Sequence, residues 1–259
     1  MLVAEVMLQQ TQVARVLPAY VAWVARWPSA QALAAASRAE VLRAWAGLGY
    51  NRRAVALHEA ARAIAAAGTF PDQVEALQRL PGVGPYTARA VACFAFGTPV
   101  MPVDTNVGRV LARHIFGHES ARVLGRRPFL QAADGWLRSA AEPREAALAV
   151  MDLGALVCRP TPHCDLCPVS AHCRWQAAGC PPEPNRARSE PPFERTVRYA
   201  RGRLLALLRE RGRVTAEEAS LTLPPWHRPR ASAYLDALVR DGLAEPDGSG
   251  WRLPELTEG

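Results

Sequence analysis

Leu80-Pro81-Gly82-Val83-Gly84-Pro85-Tyr86-Thr87, followed by Val103-Asp104-Thr105-Asn106-Val107, is the stretch whose reading decides the fold. The first segment is a glycine-broken turn between two apolar helical segments. Gly82 and Gly84 are free to take positive φ and to leave backbone N–H groups bare. Those donors, at the start of a helix predicted from Tyr86 onward, suit a phosphate oxygen. The second segment sets a lone carboxylate beyond the end of that helix. Together the two suit chemistry on a nucleic-acid backbone or sugar. Alone, a Pro-Gly-Val-Gly turn also fits a plain connection between helices.

Working outward, residues 2–26 read as one helix, with Val3, Val6, Val13, Val16 and Leu17 at helical spacing and a bend at Pro18. Gln9-Gln10-Thr11-Gln12 forms a polar patch within it. The pattern starts without an N-cap residue, so a further segment upstream is expected. Residues 29–46 are helical, capped at Ser29 and again at Ser37, with Glu40 three residues on. Gly47-Leu48-Gly49-Tyr50 ends that run. Helices follow at 51–67, closed by Gly68, and at 72–80, 86–96, 106–116, 128–141 and 144–157. Strand patterns are few, so the main body is all-α.

The 259 residues carry a formal charge of +7 with 49% hydrophobic content, which describes a globular chain suited to a polyanionic partner. There is no lysine; all 31 basic residues are arginine. No side-chain amine is therefore available for a Schiff base, while arginine pairs well with phosphate and stacks on bases. The start lacks a basic n-region, and no uncharged run is long enough for a membrane span. A soluble, cytoplasmic and nucleoid-associated protein is expected, with no membrane partner and acting as a monomer.

Cys158, Cys164, Cys167 and Cys173 are separated by five, two and five residues. Thiolates this dense can surround one metal centre. Zinc sites usually use two Cys-x-x-Cys pairs set well apart. A single close loop fits an iron–sulfur cluster better. Cys93, on an apolar helix, and Cys180, outside the loop, read as free thiols.

Residues 179–198 read as a proline-rich linker, including Pro181, Pro182, Pro184, Pro191 and Pro192. Residues 199–259 form a small tail: helices at 201–211, 215–222 and 229–241, then a hairpin from Leu243 to Leu253 around Asp247-Gly248. Three helices and a wing suggest a winged-helix-like α+β module.

Further motifs occur in order: Glu5-Val6-Met7-Leu8-Gln9-Gln10-Thr11-Gln12, Gly47-Leu48-Gly49-Tyr50, the 80–84 turn, Val103 to Val107 with Arg109-Val110-Leu111, Met151-Asp152-Leu153-Gly154-Ala155, and the cysteine loop. In these the chain resembles MutY-type A/G-specific adenine DNA glycosylases, in the helix-hairpin-helix, endonuclease III-like superfamily. The resemblance covers residues 1–178, with a six-helix lobe over about 10–116 and a cluster lobe over about 117–178. The tail is too short for the Nudix-like domain of many such enzymes, and the chain resembles the shortened actinobacterial-type members.

The resemblance implies a monofunctional, base-flipping enzyme with a [4Fe-4S] cluster on the four loop cysteines. It implies hydrolysis of the bond to adenine mispaired with 8-oxoguanine or guanine in double-stranded DNA. Glu5 takes the role of the acid that protonates adenine and later activates water. Asp104 takes that of the carboxylate stabilising the sugar cation. Tyr86 stands where bifunctional relatives carry a lysine, and Asn106 orients the site. Gln10 and Tyr50 match residues that wedge into the duplex, and the N–H groups of Gly82, Val83 and Gly84 hold a phosphate. Two alternatives stay open: a thymine or uracil glycosylase at G mismatches, and a non-catalytic DNA-binding protein.

Overall fold

The computed structural model describes residues 1–183 and 191–254; the middle of the expected linker, with Pro184, lies outside the described residues. In chain order the helices are α1 (Leu2–Leu8), α2 (Val13–Arg26), α3 (Ala30–Ala34), α4 (Arg38–Ala44), α5 (Arg52–Ala67), α6 (Val74–Gln78) and α7 (Pro85–Phe96). They continue with α8 (Thr105–Leu111), α9 (Arg126–Arg138), α10 (Pro143–Asp152), α11 (Arg174–Ala177), α12 (Val197–Arg211), α13 (Ala216–Thr222) and α14 (Ala231–Arg240). Three short strands, β1 (Arg213–Thr215), β2 (Glu245–Asp247) and β3 (Gly250–Arg252), all lie in the tail. The described residues gather into two compact units. The first holds Met1–Leu2, Asp72–Arg79 and 83–183; the second holds Val3–Pro71, Leu80–Gly82 and 191–254.

The first unit is built from α6 to α11. Its core packs Cys93, Phe94, Met101, Val107, Leu111, Phe129, Leu137 and Val150. Each of these is buried, which by area removed from water stabilises the fold by about 1.5–3 kcal/mol per large side chain. Two of its helices widen at their ends. Helix α8 runs on as a π turn over Ala112–Phe116, and α10 as another over Leu153–Val157. Such turns are uncommon and recur at functional sites.

In the second unit the expected helix over 2–26 is two helices. The break falls at Gln9–Gln12 rather than at Pro18, which sits inside α2. Pro18 lies in the second turn of α2, where its missing N–H removes one helical hydrogen bond without ending the helix, whereas Gln10 takes φ 54° and cannot continue one. The run over 29–46 likewise divides into α3 and α4. Ser29 caps the first, and Ser37 with Glu40 forms a reciprocal capping box on the second. Gly68, at φ 69°, closes α5. Trp23, Trp27 and Trp45 pack edge to face, with ring centroids 4.7 and 5.5 Å apart.

The tail has the helix–strand–helix–helix–hairpin order of a winged helix. Strand β1, absent from the sequence-based reading, pairs with β3, giving the antiparallel order β1-β3-β2 with Trp251 between Val214 and Pro246. At three residues it is too short to show a period. Leu204, Leu205, Leu208, Leu235 and Leu238 form its core. Drawn from the sequence as a separate module, the tail shares a unit with residues 3–71. Arg209 of α12 donates to the Leu42 carbonyl at 2.9 Å and to Asn51 Oδ1 at 2.7 Å. Burial brings its pKa down to about 10. Among the described residues, no helix is long and apolar enough to cross a membrane.

Candidate active site and cysteine loop

In the second unit, Glu5 sits on α1, 9% exposed. The helix is only seven residues long, and its final carbonyls lack helical partners. Arg53 supplies them: Nη1 donates to the carbonyls of Val6, Met7 and Gln9 at 2.6, 3.1 and 2.7 Å. Its Nη2 reaches Thr11 Oγ1 at 3.2 Å and the Leu48 and Gly49 carbonyls, both at 3.1 Å. One guanidinium thus joins the turn after α1 to the turn before α5. Burial holds its pKa below the usual arginine value.

The two side chains read as DNA wedges, Gln10 and Tyr50, stand on these two turns. They take φ 54° and 45°; among the described residues Cys180 is the one other non-glycine residue at positive φ. Such conformations cost about 1–3 kcal/mol and persist where the surroundings over-determine them. The bonds to Arg53 provide that constraint. Tyr50 is 39% exposed, so it is not the core aromatic that a bare sequence also allows.

The 80–84 turn departs from expectation in one respect. Gly82 takes φ 73°, but Gly84 takes φ −79° and acts as the N-cap of α7, which starts at Pro85. Proline at the first helical position explains the earlier start. Glycine is required at 82 for a second reason: a Cβ there would lie 2.6 Å from the Ala56 Cβ.

In the first unit, Asp104 is the N-cap of α8, accepting from the Val107 N–H at 2.7 Å. The bond uses one carboxylate oxygen and fixes the other's direction. Tyr86, in the first turn of α7, is partly buried against the core. Asn106 Oδ1 accepts from Arg109 Nη2 at 2.9 Å. That guanidinium also donates to the carbonyls of Gly154 and Cys158, both at 2.7 Å. Gly154 packs onto Asn106 so closely that a Cβ would meet its backbone carbonyl at 3.0 Å. The Met151 to Ala155 motif thus has a structural role: glycine there lets α10 approach the start of α8.

The four loop cysteines line one small cavity together with Arg113 and Trp175. Among the described residues they do not close on a shell that would hold a single ion. Arg113, 2% exposed, donates to the Arg159 and Pro160 carbonyls at 2.8 and 3.2 Å and lies 3.6 Å from Cys158 Sγ. It also stacks 4.3 Å over the Trp175 ring. Four thiols around one cavity, next to that guanidinium, fit an iron–sulfur cluster. Cys180 was expected apart from this loop. It lies near enough that, after burial, its charge is the largest influence raising the Cys164 pKa. Cys93 is buried, and burial raises its pKa, as for a packing thiol.

Arg53, Arg109 and Arg113 hold the candidate site residues in place, and the motifs assigned none of them a role. One signal was available for the latter two: arginines four residues apart within an apolar run, on one face of a helix.

The HhH-GPD superfamily base excision DNA repair protein family matches residues 3–124. An adenine DNA glycosylase of Mycolicibacterium smegmatis is 46% identical over 256 residues, spanning 96% of this chain and 85% of that protein. The human adenine DNA glycosylase is 46% identical over 177 residues, spanning 66% of this chain and 32% of its own length. Among solved structures, a thermostable thymine-DNA glycosylase aligns over 68% of this chain and 83% of its own, with a TM-score of 0.62 and 29% identity. A trapped endonuclease III–DNA covalent intermediate aligns over 69% of this chain and 84% of its own, with a TM-score of 0.57, and at 23% identity shares the fold. With its helical body, its hairpin glycine and its cysteine loop, the chain belongs to the adenine DNA glycosylases of the HhH-GPD superfamily.

Proposed function

We propose that this protein removes adenine mispaired with 8-oxoguanine or guanine in duplex DNA by hydrolysing the N-glycosidic bond. The observation that carries the reading is 46% identity, along nearly the whole chain, to an adenine DNA glycosylase. It works as a monomer in the cytoplasm, on the nucleoid.

The chemistry follows from what must happen at the bond. The base leaves as a poor anion unless it is protonated, and the sugar gains positive charge as it leaves. Glu5 donates the proton and then takes one from water. Asp104, held by the Val107 N–H, sets negative charge at the sugar. The division of labour is that of two-carboxylate glycoside hydrolysis. Asn106, oriented by Arg109, aligns the site. Tyr86 occupies the place of a lysine and shapes the reacting centre. Without any lysine, cleavage ends at base loss, with no Schiff-base step.

Gln10 and Tyr50 enter the duplex when the base is everted, and stacking recovers about 1–3 kcal/mol per base of the cost. Backbone N–H groups of Gly82, Val83 and Gly84 hold a phosphate. Cys158, Cys164, Cys167 and Cys173 hold a [4Fe-4S] cluster, whose chemistry here is to cross-link the loop.

Single-turnover assays on A:8-oxoguanine, A:G, T:G and U:G duplexes test the reading, alongside visible absorption and iron content. Adenine release from the first two is expected. Release of thymine or uracil instead would favour the second reading, which the 29% identity to a thymine-DNA glycosylase motivates. Colourless, zinc-loaded protein would remove the cluster.

A further inference from the structure

Tyr50 stands in the connection between α4 and α5, residues 45–51. Gly47, Gly49 and Tyr50 take φ 83°, 68° and 45° there, all left-handed. A tyrosine keeps that conformation only where its surroundings impose it. The middle of the connection is held by its sequence neighbours. Trp45 Nε1 donates to the Gly49 carbonyl at 3.0 Å, and Arg53 donates to the Leu48 and Gly49 carbonyls.

The two ends are held from the tail. Arg209, in the last turn of α12, donates through Nε to the Leu42 carbonyl at 2.9 Å and through Nη2 to Asn51 Oδ1 at 2.7 Å. Both acceptors lack the partner that local structure would give them. The Ala46 N–H, which would bond Leu42 in a regular helix, donates to the Arg43 carbonyl instead, at 3.1 Å. Asn51 is the N-cap of α5, yet its side chain makes no bond to that helix. Its backbone is in the right-handed helical region rather than extended, which turns the side chain from the usual capping position. The oxygen faces Arg209 instead.

The support behind Arg209 is rigid, because Leu204, Leu205 and Leu208 of α12 are fully buried in the tail core. Two more tail residues meet the same stretch. Arg198 donates to the Tyr50 hydroxyl and lies 5.1 Å over its ring, and Asp241 pairs with Arg52 at 3.6 Å. Arg198 is exposed and the Arg52 side chain is 75% exposed, so water screens both contacts. Neither joins the two ends of the connection as the Arg209 fork does.

We propose that Arg209 is a positioning residue for Tyr50: it ties the last turn of α4 to Asn51, and the tail thereby pre-forms the turn that enters the duplex. A turn ordered in advance does not draw its ordering cost from the binding energy. The inference rests on the role proposed above for Tyr50.

Two measurements on the full chain test it. The first is hydrogen exchange without DNA. Arg209→Gln should speed exchange of the amides of residues 46–53 about tenfold or more, with the α14 amides near their wild-type rates. Arg209→Lys should fall between, since a point charge cannot fork to both acceptors. If Arg209→Gln loosens α14 as well, Asn51→Ala decides, because it removes one acceptor and leaves the tail intact; it should speed the same amides. The second measurement follows base eversion by the fluorescence of 2-aminopurine set beside 2′-fluoro-2′-deoxyadenosine, which resists hydrolysis. Arg209→Gln should slow the rise about fivefold or more in the native background and less than about twofold in Tyr50→Ala, because it acts through the tyrosine. Equal slowing in both backgrounds, or wild-type exchange of residues 46–53 in Asn51→Ala, assigns Arg209 to tail docking alone and overturns the proposal. Should the wild type evert and release no adenine while the turn still loosens selectively, the activity fails and the positioning stands.

Discussion

The paired turns bearing Gln10 and Tyr50 and the loop bearing Cys158 to Cys173 are both irregular backbone, and buried arginines hold both. They differ in what the arginine does. Arg53 joins two turns to each other through five carbonyls and a hydroxyl, with Thr11 and Trp45 adding bonds to three of those carbonyls. Arg113 grips three carbonyls, those of Glu119, Arg159 and Pro160, and lies beside the sulfur of a proposed cluster ligand. The first region draws most of its cross-links from one residue. In the second, the proposed cluster would share the task with the arginine. The lesson is that a catalytic fold can carry two kinds of ordered loop, and their failures should look different.

The largest expected effect tests whether the first region carries chemistry that the second does not. Glu5→Gln should lower single-turnover adenine release by about 10²–10⁴-fold while leaving duplex affinity within a few-fold. Full activity in this variant sinks the assignment of Glu5. Next, Arg53→Ala should cost about 2–4 kcal/mol in denaturant unfolding, because several carbonyls lose their partner together. Lysine should not rescue it, since a point charge cannot reach both turns as a fork does. An unchanged midpoint would show that the turns hold themselves.

Arg113→Ala should leave the protein folded but speed the loss of visible absorbance on adding an iron chelator. A chelation rate equal to wild type would show that the thiolates alone fix the loop. Gly154→Ala sharpens the contrast within the first unit. Its Cβ would lie 2.9 Å from the Asn106 Cβ and against backbone that cannot swing away. A loss of about 1–3 kcal/mol in stability is expected, with adenine release falling further than stability alone explains.

The smallest effect is one of pH. Burial first, and the charge of Arg38 second, hold the His58 pKa below its usual 6.5. The unfolded chain therefore takes up the proton more readily than the folded one. Stability supplied by neutral His58 is complete above the unfolded pKa and falls as pH drops below about 6.5 toward the folded value. His58→Gln should flatten that part of the acid limb in unfolding measured across pH 4.5 to 7. An identical slope in the variant would assign the acid sensitivity elsewhere.

Much of this was legible in the sequence, for local reasons. Apolar spacing located most helices, because burial of one face repeats every 3.6 residues. Ser29, Ser37 with Glu40, and Gly68 marked helix ends, because a cap is a short-range bond. The order of motifs pointed to the family, and the cysteine spacing to a shared metal centre. What stayed hidden was non-local. Val6 is 47 residues from Arg53, and Leu42 is 167 from Arg209. No period or spacing encodes which carbonyls a buried guanidinium will reach, and the break at Gln10 follows from that reach.

The sequence by itself determined the helical class, the helix ends at Ser29, Ser37 and Gly68, the candidate acid Glu5, the candidate carboxylate Asp104 and the cysteine set. Each depends on residue type and near neighbours. The tertiary structure decided that Gly82 alone in its turn takes positive φ, that Gly154 makes room for Asn106, and that the tail lays Arg198 on Tyr50. Those outcomes depend on which distant surfaces meet, and a chain reveals that only once its hydrophobic faces have chosen their partners.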